Sequence, residues 1–194
     1  VRATSDGPEA KLDLARLVQG RRVMVTGGAG FIGSHLVEVL LERNKVFVYD
    51  DLSTGALHNL DDLDAELVVG SLLDQDLLYR TVKGMDLIFH LGALPSVPRS
   101  VEDPVGSNLA NQNGTLNLLM AAKGAKVERV VYASSSSVYG DAPEQPKRED
   151  MLPAPLSPYA VAKLAGEYYC QVFHRLYGLG AVPLRFFNVF GPRQ

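Results

Sequence analysis

Cysteine is nearly missing from this sequence: Cys170 is the single thiol in 194 residues. One thiol excludes an intramolecular disulfide and any metal site built from several cysteines, and it fits a reducing compartment. Its plain role is that of a small buried apolar residue. An excess of either charge is missing too, since 19 basic side chains face 22 acidic ones and leave a net charge of −3. That balance gives no electrostatic footprint for nucleic acid or an anionic membrane, so an anionic ligand must be held by local geometry. No apolar run approaches the roughly 20 residues that cross a bilayer, and the segment Val1 to Gln19 lacks the apolar stretch of a signal peptide. These absences predict a soluble, cytoplasmic protein. There is no internal repeat, and no low-complexity tract beyond the four serines Ser134 to Ser137.

What is present is material for a core, with 46% of the residues hydrophobic. The length suits one domain, or one domain and a fragment of a second. Residues 1 to 20 begin polar and then carry Leu12, Leu14, Leu17 and Val18 at the spacing of a short amphipathic helix, so they read as an appendage to a domain spanning 21 to 194. From Arg22 onward, short apolar runs rich in β-branched residues alternate with longer helical patterns. The predicted strands are Arg22 to Thr26, Lys45 to Asp50, Glu66 to Val69, Asp86 to Leu91, Arg129 to Ser134 and Ala181 to Phe187. The predicted helices are Phe31 to Glu42, Asp74 to Val82, Val105 to Lys123 and Tyr159 to Tyr177. Right-handed crossovers make this α/β pattern a doubly wound parallel sheet, the Rossmann arrangement. The proline-rich, charged stretch Asp141 to Pro158 predicts a surface loop leading into the last helix.

Two constellations carry chemistry. Thr26-Gly27-Gly28-Ala29-Gly30-Phe31-Ile32-Gly33 follows the first strand and opens a helix, the context a dinucleotide fingerprint requires. Gly27 permits the tight turn, Gly30 lets the backbone approach a pyrophosphate, and Gly33 lets the helix pack closely on the strand. About 20 residues further on, the second strand ends at Asp50, placed to accept hydrogen bonds from an adenosine ribose and to repel a 2′-phosphate. NAD is therefore predicted over NADP. The second constellation is Tyr159 and Lys163, one helical turn apart at the start of the last helix. A phenol with an ordinary pKa near 10 is a poor base at neutral pH unless positive charge stabilises the phenolate, and Lys163 and an oxidised nicotinamide could both supply it.

The strings TGGAGFIGSH, YDDLSTG, FHLGA, NGTLNLL, YASSSSVYGD, SPYAVAK and RFFNVFGPRQ together resemble the extended short-chain dehydrogenases, the nucleotide-sugar epimerase and dehydratase family, from Arg21 to the last residue. The resemblance implies a serine that hydrogen-bonds the reacting sugar hydroxyl. Counting back from Val138-Tyr139-Gly140 that is Ser135, with Ser134 and Ser136 one step away in register. It implies Phe31 and Ile32 at the phosphates, Leu52, Ser53, Thr54 and Gly55 around the adenosine, and Leu91, Gly92 and Ala93 under the cofactor. Lys163 matches the lysine on the nicotinamide ribose, Phe187 an aromatic beside the nicotinamide, and Asn188 an asparagine that touches substrate.

Two departures are informative. Gly70-Ser71 stands where the family usually has Gly-Asp reaching the adenine, so adenine binding is expected to be weaker or to rest on Leu72, with Ser71 beside it. Ser136 and Ser137 stand where the family's 4,6-dehydratases and decarboxylases carry acids, which removes the acid and base that elimination needs. The resemblance is strongest to UDP-N-acetylhexosamine 4-epimerases, with UDP-glucose and UDP-glucuronate 4-epimerases close behind. It implies NAD-dependent inversion at C4 of a UDP-hexose through a transient 4-keto sugar, in a homodimer joined by the Val105 and Tyr159 helices. Family members continue past FNVFGPRQ into a smaller substrate domain that is almost entirely absent here. An NAD-binding fragment without turnover is therefore one alternative, and a dehydratase, dehydrogenase or reductase of the same family is another.

Overall fold

The protein is described from a computed structural model covering residues 18–194. The predicted amphipathic helix of the appendage lies mostly outside the described residues. Residues 18 to 20 run beside the turn before β2, where Asn44 Nδ2 donates to the Val18 carbonyl at 2.9 Å and the Gly20 N–H donates to the Arg43 carbonyl at 2.8 Å.

Six strands form the sheet: β1 (Arg22–Thr26), β2 (Lys45–Asp50), β3 (Glu66–Val69), β4 (Leu87–His90), β5 (Arg129–Ser135) and β6 (Gly180–Phe186). Their order is β3-β2-β1-β4-β5-β6 and every pairing is parallel. The sequence predicted each strand to within a residue, because β-branched runs buried on both faces have few alternatives. The strand order reverses between β1 and β4. At such a switch point the two flanking connections leave in opposite directions, and the crevice beyond the strand ends is free for a ligand.

Helices cover the sheet: α1 (Phe31–Leu41), α2 (Gln75–Val82), α3 (Val97–Glu102), α4 (Pro104–Asn108), α5 (Gly114–Ala125) and α6 (Pro158–Tyr177). Alternation along the strands separates two cores. Val23, Val25, Val46 and Val48 pack with Val37 and Leu40 of α1. Met24, Phe47, Ile88, Val130 and Tyr132 face the other way and pack with Leu78, Leu118, Leu119, Cys170 and Phe173. On the first of these faces, beyond α1, Leu87, Phe89 and Val131 are only partly covered and Val182 and Leu184 are exposed.

The sequence predicted one helix from Val105 to Lys123, and the structure corrects this. A π turn at Leu109–Asn113 separates α4 from α5, a local widening that apolar periodicity does not reveal and that is frequent at functional sites. The short helix α3 was also missed. It is capped by Ser96, whose hydroxyl accepts from the Arg99 N–H at 3.2 Å. The predicted loop from Asp141 is irregular up to Ser157, which caps α6 by accepting the Ala160 N–H at 3.1 Å. That cap sets where the last helix begins, and so where Tyr159 sits.

Candidate active site

The crevice at the switch point is a cavity of about 830 Å³. One wall is the glycine turn and the first turn of α1. Gly27 has φ +70°, and a Cβ there would lie 2.7 Å from the Gly92 nitrogen. At Gly33 a Cβ would lie 2.1 Å from the Gly27 carbonyl oxygen, so the helix can approach the strand this closely only without a side chain. Gly30 differs from both. Its backbone is extended (φ −78°) and open to any residue, and a Cβ would meet only the Gly27 oxygen, at 3.2 Å. Strain does not call for glycine at position 30, which lines the cavity, and the contact with the Gly27 oxygen is tight but far looser than the one at Gly33. The amide-rich helix start beside it is suited to an anionic group such as the pyrophosphate of a dinucleotide. Phe31 and Ile32 line the same wall.

Asp50 ends β2 and is 8% exposed. Its Oδ2 accepts the Ala29 N–H at 3.0 Å and its Oδ1 accepts the Leu52 N–H at 2.9 Å. The carboxylate thus holds the glycine turn while still facing the cavity, with lone pairs left for ribose hydroxyls. Asn59, which the sequence did not single out, secures the same turn by donating to the Ala29 carbonyl at 2.9 Å. Ser53, Thr54, Ser71, Leu72, Leu91, Gly92 and Ala93 line the cavity. Leu52 and Gly55 are not among the lining residues. Leu52 turns the chain at φ 59°, and Gly55 packs beneath Ala29, where a Cβ would lie 2.9 Å from the Ala29 Cβ.

Ser135, Tyr159, Lys163, Phe187 and Asn188 converge on the opposite wall. Of the serines left open by the sequence, Ser134 and Ser135 both line the cavity, but their hydroxyls are engaged differently. Ser134 points into the protein and donates to Glu167 Oε1 at 2.5 Å, and that carboxylate holds Arg185 through two further bonds of 2.9 Å. Ser135, on the other face of β5, accepts from the Ser137 N–H at 3.1 Å and the Ser137 hydroxyl at 2.9 Å. With both lone pairs taken, its own proton is free to be donated. It acts on Tyr159 as a hydrogen-bond partner that favours the phenolate.

Burial is the larger influence on Tyr159 and raises its pKa, against the Ser135 hydrogen bond. The expectation that Lys163 lowers it is not met in this structure. The Lys163 Nζ lies 5.8 Å from the Tyr159 ring centre and donates instead to the Ala133 carbonyl at 2.8 Å. Lys163 is 3% exposed, has no carboxylate partner among the described residues, and is pushed down by burial to about 8. At neutral pH it keeps its proton, at a cost to the fold.

Comparison with known proteins decides the family. The model of the NAD dependent epimerase/dehydratase family matches residues 23–194. The chain belongs to this family. Among solved structures of family members it is similar to the UDP-N-acetylglucosamine 4-epimerase of Methanobrevibacter ruminantium in complex with UDP-N-acetylmuramic acid (44% identity, TM-score 0.88, covering 91% of this chain and 58% of that one). It is also similar to the UDP-glucose 4-epimerase of Thermus thermophilus in complex with NAD (44%, TM-score 0.84, 89% and 57%). A dTDP-glucose 4,6-dehydratase of Streptomyces venezuelae with NAD bound is similar as well (37%, TM-score 0.86, 89% and 57%). The chain spans 57% and 58% of the length of two curated relatives it matches. Among the described residues there is no cluster able to hold a metal and no helix long and apolar enough to cross a membrane.

Two expectations follow from these walls. Gly33→Ala should cost roughly 3 kcal/mol or more of stability through the clash with the Gly27 carbonyl, while Gly30→Ala should leave the melting temperature near that of the parent and weaken NAD binding. Thermal denaturation and NAD titration of the two variants check this, and equal destabilisation would mean that Gly30 serves packing. Lys163→Met should stabilise the unliganded chain by roughly 1–3 kcal/mol at pH 7. The unfolded lysine keeps its proton up to about 10.5 and the folded one loses it from about 8, so the folded state holds fewer protons between those values. The parent's stability relative to Lys163→Met should therefore rise with pH across that window. Denaturation from pH 7 to 10.5 tests the sign, and a less stable variant at pH 7 would show that the Ala133 bond outweighs burial.

Proposed function

We propose that residues 21 to 194 are the NAD-binding part of an enzyme that inverts C4 of a UDP-hexose, UDP-N-acetylglucosamine or UDP-glucose. The observation that carries this reading is the convergence of Ser135, Tyr159 and Lys163 on one wall of the cavity whose other walls are the α1 N-terminus and Asp50. Gly30, Phe31 and Ile32 would hold the pyrophosphate, Asp50 the adenosine ribose, Ser71 and Leu72 the adenine, and Leu91, Gly92, Ala93 and Phe187 the nicotinamide end. When bound, NAD supplies the acceptor and then the donor of a hydride at the sugar carbon, together with a positive charge beside the phenol.

The chain's own residues handle the proton. Tyr159 takes it from the sugar 4-hydroxyl and returns it after the sugar has presented its other face. Ser135, with its oxygen already occupied by Ser137, has one proton to give and donates it to whichever of the phenolic and sugar oxygens carries the charge. Lys163, its ammonium held by the Ala133 carbonyl, would meet the nicotinamide ribose, and Asn188 would contact the sugar. Ser136 and Ser137 offer no carboxylate for removing a hydrogen from C5, which favours epimerisation over dehydration even though a dehydratase is among the similar structures.

The second reading, an NAD-binding fragment without turnover, is favoured by the chain's coverage of 57% and 58% of two relatives. Product analysis separates the two. The 194-residue chain is given NAD and, in turn, UDP-N-acetylglucosamine and UDP-glucose, with the 4-epimer scored by chromatography. Epimer without net NADH, abolished in Tyr159→Phe, is the expected result. Net NADH would indicate a dehydrogenase, loss of water a dehydratase, and no product the fragment.

A homodimer belongs to the same proposal. Val97, Val101, Val105 and Leu109 on α3, α4 and the π turn expose an apolar row, and Val161, Tyr168, Val172 and Leu176 expose another on α6. Side by side on two copies they would close a four-helix interface. Val105→Glu with Leu176→Glu should then halve the mass measured by light scattering, and a parent chain that is already monomeric would refute the interface.

A further inference from the structure

His90 takes no part in the chemistry above, yet it ends β4 beside the cavity and is 1% exposed. Each ring nitrogen has a hydroxyl partner, Nδ1 at 2.7 Å from Thr26 Oγ1 and Nε2 at 2.9 Å from Thr115 Oγ1. The partners dictate where the protons lie. The Thr115 hydroxyl donates to the Asn111 carbonyl at 2.6 Å, so toward His90 it can only accept, and Nε2 must carry the ring proton. Burial, with Lys163 adding to it, pushes the ring down to about 3, so it is neutral and has only that one proton. Nδ1 therefore accepts from the Thr26 hydroxyl, whose oxygen in turn accepts the Gly92 N–H at 3.1 Å.

These four bonds run in one direction, from the Gly92 N–H through Thr26, His90 and Thr115 to the Asn111 carbonyl. The far end returns to the same cavity wall. Asn111, in the π turn, accepts the Leu94 N–H at 2.7 Å and donates to the Leu94 carbonyl at 3.1 Å through its side-chain amide. Gly92 and Leu94 both line the cavity. The Tyr132 ring stands 5.4 Å from the His90 ring and carries the Lys163 ammonium 5.1 Å from its centre, so the same assembly supports the lysine.

We propose that His90 is a positioning residue whose neutral Nε2–H tautomer closes a ring of hydrogen bonds fixing Gly92 and Leu94, two residues of the cavity wall, to β1 and the π turn. The proposal rests on the cavity being the cofactor site only for its effect on binding, not for the wall itself. Thr115→Val keeps the shape and removes the hydroxyl; Thr115→Ser keeps the hydroxyl.

The test is amide hydrogen exchange of the unliganded 194-residue chain, read at Gly92 and Leu94 against Met24 and Val25 of β1, with NAD affinity measured in parallel. Loss of a buried hydrogen bond of ordinary strength should speed exchange at Gly92 and Leu94 about tenfold and weaken NAD binding to a similar degree in Thr115→Val. The β1 amides should be unchanged and Thr115→Ser should match the parent. Unaltered exchange at Gly92 and Leu94, or equal acceleration across the sheet, overturns the proposal, since the first removes the link and the second makes it general stability. Should Thr115→Val not fold, Thr115→Ala is read in the same way. Local acceleration in a chain whose parent form does not bind NAD would support the positioning and refute the cofactor reading.

Discussion

The site depends on the close approach of two backbones at the strand switch point. Gly27 after β1 and Leu91–Gly92 after β4 lie so near that a single Cβ at Gly27 would sit 2.7 Å from the Gly92 nitrogen. That contact brings the glycine turn, and with it the α1 N-terminus, onto the connection that forms the cavity's inner wall. The same connection is tied by Thr26 and Asn111 into the helix layer. Remove the approach and the cavity has no floor; the serine, tyrosine and lysine on the far wall would then have nothing opposite them. Parallel pairing of β1 with β4 makes the approach obligatory, because both strands end at the same level.

The opposite wall is maintained at some energetic expense. Lys163 is buried with no carboxylate partner among the described residues, and Glu167 with Arg185 forms a nearly buried ion pair that takes up the Ser134 hydroxyl. Breaking one partner of such a pair costs on the order of 3–5 kcal/mol, so the pair locks the end of β5 in register even though an apolar substitute could serve stability as well. The consequence is directional. With Ser134 turned into the protein, Ser135 must face the cavity, and Ser137 then occupies its lone pairs. Positions that look interchangeable along a run of four serines are given different tasks by a carboxylate that lies 33 residues away from Ser134.

This is also where the sequence became illegible. The six strands, the glycine turn, Asp50 and the Tyr159–Lys163 pair could be read directly, since each follows from local periodicity or spacing along one element. The choice among Ser134, Ser135 and Ser136 could not, because it hangs on Glu167 and Arg185 from other elements. The π turn at Leu109–Asn113 left no trace in the apolar spacing, so Asn111 and its hold on Leu94 were missed. Leu52 and Gly55 were assigned to the ligand by resemblance, and their contacts with Asp50 and Ala29 are visible only in three dimensions. The engagement of the Lys163 ammonium by the Ala133 carbonyl was equally invisible in the sequence.

The claim that organises all of this is that the crevice between β1 and β4 is built for NAD. Isothermal titration of the 194-residue chain with NAD and with NADP addresses it without any assumption about the sugar or the reaction. The account predicts saturable, one-to-one binding of NAD and binding of NADP weaker by tenfold or more, about 1.4 kcal/mol, since a carboxylate at the end of β2 would repel a 2′-phosphate. Equal affinity for the two, or no binding of either, would contradict it.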